Sequence, residues 1–175
     1  MELRTDGLIL RPWRLEDAPA VTAACQDPEI ARWIPLIPTP YSEQDARQFL
    51  EDIVASEDSY GFAVLDSATG ELAGSIAIRL QRFSTGHIGY WVAREARGRG
   101  VATAALKALC RWAVDELGLK RLELVTHPEN LASQRVAEKA GFQREGVMRS
   151  ALEHADGRRR DSVLFSLLPE ELGRS

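Results

Sequence analysis

Apolar and polar positions alternate or recur along the chain with two periods, and the period changes at regular points. "GLILRPW" (7–13) holds a short apolar run closed by Pro12, which predicts an opening strand. In "RLEDAPAVTAACQD" the residues Ala18, Val21, Ala24 and Cys25 share one helical face, with Pro19 placed in the first turn. "IPLIPTPYS" is rich in proline and reads as an irregular loop. "SEQDARQFLEDIVAS" predicts an amphipathic helix capped by Ser42, with Ala46, Phe49, Leu50, Ile53 and Val54 as its apolar stripe.

The period then drops to two. "YGFAVLD", "ELAGSIAIRL" and "GHIGYWVA" predict strands, and the "SATG" turn between the first two makes them an antiparallel meander. After "REARGRG" the helical period returns, with Val101, Ala105, Ala108, Leu109 and Trp112 on one face, and Gly118 ends it. "RLELVTH" is a further strand, "NLASQRVAEKAG" a short helix and "FQREGVMRS" a strand. "HADGRRRD" is a turn of exposed arginines and "SVLFSLL" a last strand. The fold class is α/β in the α+β sense: a mixed sheet with helices packed on it, not an uninterrupted βαβ series.

Bulk composition narrows the function classes. With 175 residues, one domain spanning 1–175 is expected. A net charge of -4 argues against a direct nucleic-acid role, since such domains are usually basic. No apolar run reaches the length of a membrane span, and Arg4, Asp6 and Arg11 interrupt any secretory leader, so a cytoplasmic protein without membrane partners is expected. Cys25 and Cys110 stand alone without metal-ligand spacing; they read as buried hydrophobes, and no metal is expected.

The chemistry concentrates at "ARGRGVATAAL". Gly98 and Gly100 stand where a strand leads into a helix N-terminus. There the unpaired N–H groups of Val101, Ala102 and Thr103 and the helix dipole favour an anion. Arg97 and Arg99 add charge that suits a pyrophosphate. A Walker loop is excluded, because Val101-Ala102 stands where Lys and Ser/Thr belong. A dinucleotide fingerprint fits poorly, because Thr103 takes the third glycine's place and antiparallel strands precede it.

"ARGRGVATAAL" followed by "HPENLASQRVAEKAGF" resembles the acetyl-coenzyme A site of the GNAT superfamily of N-acetyltransferases. Gly98 and Gly100 match the first motif, (Q/R)xxGx(G/A), although Glu95 replaces its Gln or Arg. Asn130, Ser133, Glu138, Lys139, Gly141 and Phe142 match NxxSxxxxEKxGF. "LRPWRLEDA", "DPEIARWIP" and "PYSEQDARQFL" resemble the RimJ/RimL-type, ribosomal-protein N-acetyltransferase-like branch, so the resemblance runs from about Leu8 to Leu168.

The resemblance implies a mostly antiparallel sheet of about seven strands with one splayed parallel pair and about four helices. It places the pantetheine arm against Trp91, Val92 and Ala93, with Asn130 capping its helix near the coenzyme. Arg135 and Lys139 are within reach of the phosphates or are simply solvated. Ser133 becomes the candidate acid at the sulfur. His87, standing where relatives often carry glutamate, is a candidate base, with a merely packed histidine as the open alternative. Tyr90 lines the acceptor pocket or the core, and Trp13, Trp33 and Tyr41 are expected on the acceptor side. The implied function is acetyl transfer from acetyl-coenzyme A to an amine, either a protein N-terminus such as a ribosomal protein's or a small molecule, by direct attack in a ternary complex. A coenzyme A-binding sensor without turnover is the alternative. A homodimer is expected by analogy alone.

Overall fold

The computed structural model describes residues 1–5, 7–35 and 37–173. Leu36, in the proline-rich connection, lies outside the described residues. Eight strands form one sheet: β1 (Leu3–Thr5), β2 (Leu8–Pro12), β3 (Ser59–Asp66), β4 (Leu72–Gln81), β5 (Thr85–Val92), β6 (Arg121–Thr126), β7 (Gln143–Glu153) and β8 (Arg159–Leu167). Their spatial order is β1-β2-β3-β4-β5-β6-β8-β7, and every neighbouring pair is antiparallel except β5 with β6. Five α-helices are described: α1 (Ala18–Ala24), α2 (Pro28–Trp33), α3 (Glu43–Ala55), α4 (Val101–Asp115) and α5 (Leu131–Lys139).

Two elements exceed the expectation of about seven strands and about four helices. β1 is three residues of mixed polarity, too short to show a period. α2 is six residues inside a proline-rich stretch; Asp27 caps it, its side chain accepting from the Glu29 N–H, and Pro28 fills the first turn, where no N–H is needed.

Strand alternation divides the core. Phe62 and Val64 of β3 and Ile88, Tyr90 and Val92 of β5 point to one face, where α4 covers them with Val101, Ala105, Leu106, Leu109 and Trp112. Ala63 and Leu65 of β3 and Trp91 of β5 point to the other, beneath α1 and α3. Ser42 caps α3 as expected, accepting from the Asp45 N–H. Ala46 and Leu50 are buried in its stripe and Ile53 lies against Gly61 of β3, but Val54, one position round the helix from Ile53, is 57% exposed.

The parallel pair is short. β5 and β6 are in register only from Thr85–Arg121 to Ile88–Leu124. Beyond that point Gly89–Val92 continue against β4 alone, and Val125–Thr126 against β8 alone. The two strands splay, and the fold places its candidate site in the opening.

Candidate active site

The splay opens on a cavity of about 790 Å³. Its floor is β5 and β6. One wall comes from the end of α1, α2, α3 and the proline-rich connection (Cys25, Trp33, Phe49, Tyr41). The other comes from the start of α5 and the β7–β8 hairpin (Asn130, Ser133, His154).

At the lip formed by β5, the residues after Val92 turn through Gly98 (φ 73°) and Gly100 (φ 78°) into α4. Such left-handed φ values exclude most side chains, and a Cβ built on either glycine would enter open space. No side chain caps α4, so its first N–H groups remain available at the positive end of a 15-residue helix. That cradle has the chemistry of a phosphate site. Arg97 and Arg99, expected as anion clamps, are held by carboxylates: Arg97 pairs with Asp27 at 2.7 Å and donates to the Val92 carbonyl at 3.1 Å, and Arg99 pairs with Asp66. Arg99 holds the Asp66 carboxyl below its usual range.

Deeper in, the Tyr90 and Ser133 hydroxyls lie 2.9 Å apart, joining β5 to α5. Burial raises the Tyr90 pKa and the bond to Ser133 opposes that, so the phenol keeps its proton at neutral pH. Asn130 accepts from the Ser133 N–H at 3.1 Å and so fixes the first turn of α5. Arg135 and Lys139 lie on the exposed face of that helix.

His87 lines the cavity from below and also borders a smaller surface pocket of Arg79, Gln81, Arg82, Thr85 and Glu123. Burial pushes its pKa down from 6.5, with Glu123 opposing and Arg79 assisting. Trp33 and Tyr41 line the cavity, but Trp13 does not: it is 5% exposed and packs edge-on against Phe49 in the core beneath α3. Nothing in its flanking residues Arg11, Pro12 and Arg14 marks Trp13 for the core, so only the packing distinguishes the two. Cys25 borders the cavity with its thiol pushed up to about 11 by burial, and Cys110 is driven up further inside the core, so neither offers a thiolate.

Four features had no clear sequence signal. Gly89 stands at the mouth of the splay with nothing within 4 Å of a built Cβ. His127 and His154 come together across the cavity with ring centroids 6.3 Å apart, and Trp33 lies 5.5 Å from His127. The Asp27–Arg97 pair spans 70 positions of chain. Asp27 announces itself only as a helix cap before proline.

A family model described as "Acetyltransferase (GNAT) domain" matches residues 7–143. The p20 protein of Bacillus licheniformis, an uncharacterized N-acetyltransferase, is 32% identical over 173 residues, covering 97% of each chain. The ribosomal-protein-serine acetyltransferase of Escherichia coli is 28% identical over 113 residues, 63% of each chain. Mycobacterium smegmatis RimJ, solved in complex with CoA-disulfide, superposes with a TM-score of 0.87 at 28% identity, covering 100% of this chain and 89% of that one. The splayed pair, the glycine turn at the uncapped helix and the matched relatives agree: the chain belongs to the GNAT acetyltransferases, enzymes that take their acetyl group from acetyl-coenzyme A.

Proposed function

We propose that this protein transfers the acetyl group of acetyl-coenzyme A directly to a primary amine, with both substrates held in the one cavity. The observation that carries the reading is the β5–β6 splay. It leaves strand edges unpaired, opens on the Tyr90–Ser133 pair, and has an anion cradle at its lip. The residues present fit the coenzyme. The N–H groups of Val101, Ala102 and Thr103 and the open backbone at Gly98 and Gly100 suit its pyrophosphate, with Arg99 at the rim. The edge Trp91–Ala93 suits its amide-bearing arm. The bound coenzyme supplies an activated thioester.

The protein's own groups do the rest. The amine must lose a proton before it can attack. His87 takes that proton, directly or through water, because burial keeps its imidazole neutral at pH 7. Backbone N–H groups on the open edge of β5 stabilise the developing oxyanion. Ser133 donates a hydrogen bond to the departing sulfur and is held in place by Tyr90 and the Asn130 cap. A free thiol has a pKa of about 8.5, so the thiolate leaves readily and this donor accelerates the step without being indispensable. The raised thiols of Cys25 and Cys110 support direct attack over an acyl-enzyme.

The acceptor enters past Trp33, Tyr41 and the proline-rich connection. The Escherichia coli relative, a ribosomal-protein-serine acetyltransferase, favours a protein acceptor over a small molecule. The test is thiol release from acetyl-coenzyme A in the presence of a panel of N-terminal peptides and small amines. Acceptor-dependent release identifies the substrate class. Saturable coenzyme binding with no turnover on any member of the panel would favour a sensor instead.

A further inference from the structure

α2 touches both lips of the splay. At its N-terminal end Asp27, whose side chain is 7% exposed, faces Arg97 on the turn that follows β5. At its C-terminal end Trp33 packs against His127, the residue that follows β6. A six-residue helix is about 9 Å long, so both contacts sit on one short rigid rod.

We infer that Asp27 is a positioning residue that ties the acceptor wall to the coenzyme turn through Arg97, so that filling the turn orders α2 and Trp33. The inference rests on the coenzyme reading above. Asp27 divides its carboxylate between two tasks. One oxygen caps α2 at the Glu29 N–H, at 3.1 Å. The other is buried and lies 2.7 Å from the Arg97 guanidinium, yet receives no aligned N–H, so the contact is one of charge with charge. The other Arg97 nitrogen holds the Val92 carbonyl, on the strand edge that suits the pantetheine arm. Arg97 therefore meets three groups that the coenzyme would fix: the end of β5, the glycine turn and, through Asp27, the helix that carries Trp33 into the cavity. Asp27 is buried although the Arg97 side chain is 37% exposed, so solvent screens the pair only in part and displacement at one end is felt at the other. A merely structural pair would hold α2 equally well with or without ligand.

Hydrogen exchange with coenzyme A as the probe separates these cases. In the wild type, coenzyme A is expected to slow amide exchange over residues 98–103 and also over residues 28–35. Asp27→Asn keeps an oxygen for the cap and removes the charge. It should retain the slowing at 98–103 and lose it at 28–35. The double variant Asp27→Asn/Arg97→Gln strands no buried charge and should behave the same way. Slowing at 28–35 that persists in both variants, or that is absent from the wild type while 98–103 is protected, overturns the inference. Protection of neither segment in the wild type overturns the coenzyme reading and this inference with it.

Discussion

The hydroxyls of Tyr90 and Ser133 lie 2.9 Å apart, and that contact joins β5 to α5 where β5 and β6 have parted. Either hydroxyl can donate to the other, and the one that accepts keeps its own proton for a group in the opening. Ser133→Ala and Tyr90→Phe should each lower kcat by about 10²-fold, the low end for a general acid. The double variant should lose little more than either single one, because the two act as a unit. Steady-state turnover of the three variants checks this. Independent, multiplicative losses would assign the hydroxyls separate roles.

His87 predicts the pH dependence. Burial lowers its folded pKa below 6.5, so kcat should rise with pH through an acid limb lying under that value and then level off. His87→Gln should lower the plateau by about 10²-fold and abolish the limb. An unchanged limb in the variant would move the base elsewhere.

The same shift sets a stability trend. His87 and His154 both have depressed pKa values when folded, His154 through burial, Arg160 and His127 against the opposing Asp156. The unfolded chain therefore binds more protons than the native state as pH falls through about 6.5. Stability should be fully present above that range and decline on acidification. Urea melts across pH 5 to 8 test this, and a His87→Gln/His154→Gln variant should show a flatter profile.

Leu106 is fully buried between α4 and the sheet. Leu106→Ala should cost about 2–5 kcal/mol of unfolding free energy, by lost burial plus the cavity left behind. Chemical denaturation checks the size. A cost under about 1 kcal/mol would mean that the α4 face repacks freely.

Direct attack makes a further claim about Cys25. Its thiol is raised to about 11 where it borders the cavity, which leaves little thiolate for a nucleophilic role at neutral pH. Cys25→Ala should retain turnover within about threefold, less than one order of magnitude in transition-state terms. Intact-mass measurement of the wild type with acetyl-coenzyme A alone should show no acetylated enzyme. A mass gain lost in Cys25→Ala would contradict the ternary mechanism.

The periodic part of this fold was open to reading from the residues. α3 and α4 carry full apolar stripes and clear ends at Ser42 and Gly118, and the β3–β5 meander shows its turns. The splay was not legible that way. Nothing in the alternation of "GHIGYWVA" or "RLELVT" says where pairing stops, and only the motif around Gly98, Gly100 and Asn130 pointed to it. Short elements escaped for the opposite reason: β1 and α2 are smaller than the window a period needs. At the site, Ser133 and Asn130 carried local signals, a helix first turn and its cap. Trp13 and Trp33 look alike in sequence, and packing alone sends one into the core and the other to the cavity. The Asp27–Arg97 pair and the His127–His154 contact are long-range, and one sequence holds no register between such segments.

The central claim is that the glycine turn and the splay together hold acetyl-coenzyme A. Isothermal titration of acetyl-coenzyme A into the wild type and Gly100→Glu tests it most directly. The variant places a carboxylate and a strained left-handed φ at the cradle. Saturable binding by the wild type and its loss in a folded variant is the result predicted here. Absence of binding by the folded wild type, or undiminished binding by Gly100→Glu, would contradict it.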